Sequence, residues 1–272
     1  MTRPVVSWQR GLQYFGGHLF VPDGATSGGR GLGAAWTTGA VGTLSHATPA
    51  AAFNTQMKRT VWTQVGGVSN NQELGPRQSL ASEYIYWPGS ARYCGGFYMS
   101  AIFRIEAWDT GNAGRLFVGL TGSANPVCIS DTVPNNTCGL WHDTTMGQDV
   151  LKFITQNNAG TATSDDVTTH ALNPGILATG VTLLWEMWQY PNQNASPGVN
   201  CKLSIYDVST DSEAIAYNRV KKVKWQERGN SLTNTRFMAP QCQMSNGTDT
   251  TAGHFAIGVA NIYCAPWSGE MD

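Results

Sequence analysis

Apolar and polar residues alternate through the segment GFYMSAIFRIEAW, which begins at Gly96, and a two-residue period is typical of a β-strand. One side of the predicted strand carries Phe97, Met99, Ala101, Phe103, Ile105 and Ala107. The other side carries Tyr98, Ser100, Arg104 and Glu106. After the turn DTGNAG, the segment RLFVGL places Leu116, Val118 and Leu120 on one side of a second strand. The pattern predicts an antiparallel hairpin with one buried face.

Three later segments repeat this alternation and predict a second sheet, namely TLLWEMWQY from Thr182, CKLSIYDV from Cys201 and HFAIGVANIYC from His254. A sheet with one apolar face must pack against another apolar surface. We therefore predict an all-β protein built as an antiparallel β-sandwich, of the jelly-roll or lectin-like kind. The residues predicted to be buried in it are Phe97, Phe103, Ile105, Leu116, Val118, Leu183, Ile205, Ile257 and Val259.

Residues 1–55 differ from the rest because they contain ten glycines, which raise the entropic cost of ordering the backbone. We predict an extended Gly-rich N-terminal attachment arm over residues 1–55 and a β-sandwich domain over residues 56–272. The candidates for anchoring the arm to a partner are its aromatic residues Trp8, Tyr14, Phe15, Phe20 and Trp36. An arm that wraps around its own domain is the alternative.

Charged residues make up only 13% of the chain and the formal net charge is -1, so no basic surface predicts binding to nucleic acid. No apolar run approaches the roughly 20 residues of a membrane helix, and no signal peptide is recognisable. We therefore expect synthesis in the cytoplasm, where the six cysteines would be reduced and buried. Cys128 and Cys138 could still face each other across their loop. Neither the cysteines nor the histidines have zinc-finger spacing.

Motifs for nucleophilic catalysis, metalloprotease zinc binding and phosphate binding are all missing from the sequence. His142-Asp143 could activate a water, but a turn in which Asp143 bonds the local backbone and Trp141 holds the loop is favoured. Asp165-Asp166 could be half of a calcium site, although a polar loop is favoured. Glu186, Glu213 and Glu227 cannot be paired from sequence for glycoside cleavage. We assign no catalytic, cofactor-binding or metal-binding residue.

Two clusters have side chains suited to binding. The basic segment VKKVKWQER contains Lys221, Lys222, Lys224 and Arg228. They could contact anionic lipopolysaccharide or nucleic acid, or they could protect an edge strand from pairing. Sugar recognition combines an aromatic ring with nearby amide or carboxylate groups. The candidate glycan-binding residues are Trp185, Trp188, Tyr190, Asn192 and Gln193.

Three segments resemble bacteriophage and prophage virion proteins of the tail-fibre type: CGGFYMSAIFRIEAW with RLFVGLTG, ISDTVPNNTCGLWHDTT, and FMAPQCQMSNGTDTTAGHFAIGVANIY. The upstream FNTQMKRTVWTQV is also similar to this group, so the resemblance covers about Thr43 to Tyr263. It implies a β-sandwich, often trimeric, that is exposed on the virion and meets the host surface.

We therefore expect a virion structural protein that attaches through its N-terminal arm to other virion proteins, forms a homotrimer and presents its sandwich to host cell-surface polysaccharide. No catalysis, cofactor or membrane insertion is expected. The alternatives are a carbohydrate-degrading depolymerase on a β-sandwich scaffold and a capsid decoration or head-fibre protein. A cleft with two facing carboxylates would favour the depolymerase.

Overall fold

The computed structural model describes residues 18–21, 30–32, 36–38, 43–46, 59–65, 71–78, 96–109, 114–146, 151–156, 162–166, 180–190, 199–206, 220–222, 226–227 and 238–266. Nearly all the regular structure within these residues consists of strands. A short 3-10 helix spans Val127–Ile129. The strands are β1 (His18–Val21), β2 (Arg30–Leu32), β3 (Trp36–Thr38), β4 (Thr43–His46), β5 (Thr60–Thr63), β6 (Glu73–Leu74), β7 (Pro76–Gln78), β8 (Phe97–Ala107), β9 (Arg115–Thr121), β10 (Thr137–His142), β11 (Lys152–Gln156), β12 (Ala162–Asp166), β13 (Thr182–Gln189), β14 (Asn200–Tyr206), β15 (Val220–Lys222), β16 (Gln226–Glu227), β17 (Ala239–Ser245) and β18 (Ala256–Pro266).

These strands form two antiparallel sheets, as the sequence predicts. Sheet A has ten strands in the order β15-β14-β13-β8-β18-β1-β2, with β16 beside β14, β5 beside β18 and β4 beside β5. Sheet B has eight strands in the order β12-β11-β10-β9-β17-β7-β3, with β6 beside β17. One apolar cluster contains side chains from both sheets, so the sheets pack face to face as a β-sandwich. None of the helices in the described part of the chain is long and apolar enough to cross a bilayer.

The inner face of β8 lies at the centre of the core. Its odd-numbered residues from Phe97 to Ile105 are buried and its even-numbered residues from Tyr98 to Glu106 are partly exposed, which confirms the predicted alternation. Ala101 lies between Trp185 of β13 and Ile262 of β18, and its small side chain leaves room for both. All the predicted core residues are buried except Ile205, whose side chain lies outside the description.

The predicted pairing of these strands is wrong in two respects. Strand β8 pairs with β13 and β18 in sheet A, whereas β9 pairs with β10 and β17 in sheet B, so the two strands are not a hairpin. The segments containing β13, β14 and β18 do share a sheet, but it is the sheet of β8. The loop after β8 crosses between the sheets, which lets both apolar faces point into the same core.

The surface of sheet B that points away from the core is covered by other parts of the chain. A second apolar cluster joins Phe117, Trp141 and Ile154 of the sheet to Val127 and Cys128 of the 3-10 helix. Gly119 and Gly139 face each other across β9 and β10, and a Cβ on Gly139 would lie 3.0 Å from the Phe117 ring. This glycine pair leaves room for Phe117 to pack edge-on against Trp141, with 6.3 Å between the ring centroids.

An ion pair holds the covering loop to sheet B. Arg115 at the start of β9 donates to both carboxylate oxygens of Asp131, at 2.7 Å and 2.9 Å. Asp131 also accepts hydrogen bonds from the backbone N–H and the hydroxyl of Thr144, at 3.0 Å and 2.7 Å. The hydrogen bond from Arg115 is the largest cause that holds the pKa of Asp131 well below its usual range.

The cysteines agree with the prediction of reduced thiols. Cys128, Cys138, Cys201, Cys242 and Cys264 are all free and buried, and Cys94 lies outside the described residues. Burial raises the pKa of the thiols of Cys128, Cys138 and Cys242, which disfavours the reactive thiolate form.

Part of the predicted N-terminal arm is described, and its strands pair with strands of the sandwich, as expected for an arm that wraps around its own domain. Strand β1 pairs with β18 and with β2, β3 pairs with β7, and β4 pairs with β5. Phe20 and Trp36 therefore belong to strands of the sandwich itself, whereas Trp8, Tyr14 and Phe15 lie outside the described residues. Backbone hydrogen bonding to existing strand edges explains how a glycine-rich segment joins the fold.

We expect Phe103→Ala to lower the free energy of unfolding by about 3–5 kcal/mol, because it removes a buried ring from between the sheets. Urea denaturation followed by tryptophan fluorescence measures the change. Ile102→Ala, on the other face of the same strand, is the matched control and should cost much less. Equal losses in the two variants would contradict the assignment of the faces of β8.

We expect Asp131→Asn to destabilise the protein at neutral pH, because it removes the carboxylate that Arg115 holds. Since the folded-state pKa of Asp131 is lowered, its contribution is complete above about pH 4 and is lost as the pH falls from there towards the folded-state value. Urea denaturation at several pH values should therefore show the wild type and the variant converging in acid. A constant difference across that range would contradict this account of the ion pair.

Deletion of residues 1–50 should destabilise the sandwich, because it removes β1 to β4 and leaves strand edges of β18, β5 and β7 without their partners. Deletion of residues 1–17 removes no described strand and is the control. Thermal unfolding followed by circular dichroism measures both. If the longer deletion unfolds at the wild-type temperature, these strands contribute nothing to stability.

Candidate functional site

The outward surface of sheet A, here called the outer face, carries the side chains of the central strands that point away from the core. Strand β8 contributes Tyr98, Ser100, Ile102, Arg104 and Glu106, and β13 contributes Leu184, Glu186 and Trp188. The strand register places Trp188 opposite Tyr98, and it places Ser100 between Glu186 of β13 and Tyr263 of β18. Aromatic and charged groups thus share one sheet surface.

A shift in register puts Tyr263 on this face. Strict alternation from Ile257 and Val259 would turn Tyr263 towards the core, but β18 has a bulge between Val259 and Asn261. The extra residue reverses the phase, so that Ile262 and Cys264 are buried and Tyr263 is partly exposed. Sequence reasoning missed Tyr263 because nothing in the apolar pattern marks the bulge.

One end of the outer face is aromatic. The Tyr98 hydroxyl donates to Glu186 Oε1 at 2.9 Å, and the rings of Tyr98 and Tyr263 lie 6.1 Å apart. The Tyr263 hydroxyl is buried without a hydrogen-bond partner among the described residues, and its burial raises its pKa. Tyr190 follows the end of β13 and is 38% exposed. The aromatic end therefore combines ring surfaces, a carboxylate and a hydroxyl that lacks a partner.

The other end of the outer face is charged. Glu106 forms an ion pair with Arg59 Nε and lies 3.3 Å from Arg104 Nε. Arg104 Nη1 is buried without a hydrogen bond to any described residue, and burial lowers the pKa of Arg104. A Cβ on Gly258 would lie 2.5 Å from Glu106 Oε1, so the glycine leaves room for this pair to cross β18. Two guanidinium groups therefore share one carboxylate here.

The predicted glycan-binding residues are divided by the structure. Trp185 is fully buried in the core with its ring 5.6 Å from that of Phe153, so its assignment to a sugar-binding surface is wrong. Trp188 lies on the outer face and Tyr190 at its margin. Asn192 and Gln193 lie outside the described residues. Successive strand residues point to opposite faces, so Trp185 and Trp188 could not share a surface.

Asp143 begins the predicted turn, directly after His142 at the end of β10. Asp143 accepts hydrogen bonds from the backbone N–H of Thr145 at 2.8 Å and from Trp141 Nε1 at 3.0 Å. His142 is buried, with its ring 5.2 Å from that of Trp108 and nearly perpendicular to it. The imidazole and the carboxylate therefore have separate structural roles.

The remaining candidates lie apart from the outer face or beyond the description. Asp165 and Asp166 lie on β12, an edge strand of sheet B among the described residues, and Glu227 lies on β16. Lys221 and Lys222 lie on β15, the last strand of sheet A, which agrees with the edge-strand interpretation. Glu213, Lys224 and Arg228 lie outside the described residues. Among the described residues, one group of possible metal ligands lies close together at the end of β8 away from Tyr98. It consists of Asp109, Asp249 and His254.

Neither a protein-family model nor a curated protein matches this chain. A protein of unknown function from Shewanella oneidensis MR-1 has a similar structure, with a TM-score of 0.50, 11% identity, and coverage of 100% of this chain and 99% of that one. Botulinum neurotoxin type C, whose cell entry depends upon interaction with two ganglioside molecules, matches with a TM-score of 0.47 and 12% identity. The match covers 93% of this chain and 48% of the toxin chain. This chain thus spans about half the length of the toxin chain.

An endo-beta-1,4-glucuronan lyase from the fungus Trichoderma reesei matches with a TM-score of 0.47 and 11% identity, covering 90% of this chain and 94% of the lyase. At these identities the likeness shows the fold alone. A β-sandwich can carry binding or catalysis, so the function has to be argued from the side chains.

Proposed function

We propose that this protein is a bacteriophage virion component of the receptor-binding type, and that it binds host-surface carbohydrate through the outer face of sheet A. The virion assignment is supported by the resemblance of the segments around β8, β10 and β18 to tail-fibre proteins. The binding assignment is supported by the aromatic end of the outer face.

The arrangement of Tyr98, Trp188, Glu186 and Tyr263 is the observation that carries the proposal. Aromatic rings offer a flat apolar surface for the apolar side of a pyranose, while hydroxyl and carboxylate groups can bond its hydroxyls. The ring of Tyr263 is partly exposed beside that of Tyr98, 6.1 Å away, so the two rings can contribute apolar surface together. Glu186 is already oriented by Tyr98, so one of its oxygens is held in place before a ligand arrives.

Binding is favoured over glycoside cleavage because the two carboxylates of β8 and β13 on this face are far apart. Glu186 lies opposite Ser100, whereas Glu106 lies further along β8 by roughly 20 Å at about 3.3 Å per residue. Glycosidases need their two carboxyl groups within about 5–9.5 Å of each other. The depolymerase stays the second candidate, since elimination does not require such a pair.

Attachment to the particle and self-association complete the proposal. The strands of residues 18–46 belong to the sandwich, so we place the contact with other virion proteins in the segment that precedes His18 and contains Trp8, Tyr14 and Phe15. A homotrimer would present several copies of the outer face to a repeating polysaccharide, which raises the overall affinity without a new contact.

We expect Trp188→Ala to weaken carbohydrate binding by about tenfold or more in Kd, because it removes ring surface from the site. Purified surface polysaccharides from a panel of bacteria, tested by biolayer interferometry on immobilised protein, provide the measurement. Trp185→Phe on the same strand is the matched control, since its ring faces the core. For any polysaccharide that the wild type binds, this control variant should have the same affinity as the wild type.

The same samples test the second candidate. Size-exclusion chromatography of each polysaccharide after incubation with the wild-type protein should show no change in chain length. Shortened chains would identify a depolymerase and overturn the assignment to binding alone. Equal binding by the wild type and by Trp188→Ala would show that the carbohydrate site lies elsewhere.

A further inference from the structure

Three metal-ligating side chains meet at the end of β8 opposite to its aromatic end. Asp109 follows β8, while Asp249 and His254 belong to the loop that joins β17 to β18. Their ligand atoms all lie within 4.8 Å of one another. His254 Nδ1 is 2.7 Å from Asp249 Oδ2 and 3.0 Å from Asp109 Oδ2. Two separate segments of the chain therefore bring one nitrogen and two oxygens to a common point.

Hydrogen bonding alone does not account for this arrangement. One imidazole nitrogen carries at most one proton, so His254 Nδ1 can donate a good hydrogen bond to only one of the two carboxylates. Asp249 has a side chain that is only 5% exposed, and neither Asp249 nor His254 has an ion pair with lysine or arginine among the described residues. Asp249 is therefore a buried carboxylate whose cationic partner among the described residues is His254, and a dication at this point would neutralise its charge.

The distances suit a small metal ion. Ligands about 2.1 Å from a metal lie about 3.0 Å apart at octahedral angles, so the 2.7 Å contact of Nδ1 would widen by about 0.3 Å and its 3.0 Å contact would stay as it is. The two carboxylate oxygens lie within 4.8 Å of each other. The nitrogen ligand favours zinc, manganese or cobalt over calcium and magnesium, which prefer oxygen ligands throughout. We propose that Asp109, Asp249 and His254 bind one first-row transition-metal dication, with water completing its coordination.

The surrounding contacts hold the ligands in position. Gln64 Nε2 donates to the backbone carbonyl of Asp249 at 2.7 Å, and the N–H of Thr251 donates to Asp249 Oδ1 at 2.8 Å. Trp108, which precedes Asp109, packs edge-on against Phe255, which follows His254, with 5.2 Å between the ring centroids. The metal would therefore join the end of β8 to the β17–β18 loop at a point where both are already packed together.

Isothermal titration calorimetry of the chelator-treated full chain with Zn²⁺, Mn²⁺ and Ca²⁺ tests the proposal. We expect one Zn²⁺ or Mn²⁺ per chain and no comparable binding of Ca²⁺. Asp249→Asn and His254→Gln, which preserve size and hydrogen-bonding capacity, should abolish binding. At a metal concentration about a hundredfold above Kd, the wild-type Tm should rise by about 5–10 °C and that of either variant should not.

His18→Gln is the control for nonspecific binding to histidine. His18 pairs with Cys264 near the other end of β18, roughly 25 Å from Ala256, so its loss should leave the stoichiometry unchanged. Co²⁺ absorption of the wild-type protein gives a readout that does not depend on the folding of a variant, and it should show a d–d spectrum that Zn²⁺ removes. Absence of that spectrum, binding of Ca²⁺ alone, or equal binding by the folded Asp249→Asn and His254→Gln variants would overturn the proposal.

Discussion

The burial of the inner residues of β8 is the constraint on which the rest of the structure depends. Because β8 lies between β13 and β18, the orientation of Phe103 and Ile105 towards sheet B also determines the orientation of both neighbours. The residues that point away from the core, which include Tyr98 and Glu186, then lie on the outer face. The candidate binding surface is therefore a consequence of the same alternation that builds the core.

The two sheets differ in what they leave free. The outer face of sheet B is covered by the loop that Arg115 and Asp131 hold in place, and the buried Gln241 accepts a hydrogen bond there from the N–H of Val127 at 3.0 Å. The covering loop satisfies the polar groups that this face of the sheet would otherwise offer to a ligand. On the outer face of sheet A, the central strands keep partly exposed side chains. The hydroxyl of Tyr263 on this face is buried without a hydrogen-bond partner among the described residues.

Sequence patterns predict what a strand buries more reliably than which strand lies beside it. The alternation in β8, β9 and β13 identified their core residues, because the two-residue period follows directly from backbone geometry. It could not assign β8 and β9 to different sheets, since pairing depends on contacts between distant parts of the chain. It also missed Tyr263, because one extra residue in β18 reverses every following side chain. Trp185 is buried for the same geometric reason that leaves Trp188 on the outer face, since the two lie three positions apart on one strand.

The metal-ligating group was beyond sequence reasoning because Asp109 and His254 are distant in the chain and meet only when β8 and β18 pair. Its position separates it from the proposed carbohydrate site. Tyr98 and Asp109 lie at opposite ends of β8, roughly 35 Å apart at about 3.3 Å per residue. A metal there would act on the loop between β17 and β18 without touching the aromatic end of the outer face. Metal binding and carbohydrate recognition would then depend on different residues, at opposite ends of β8.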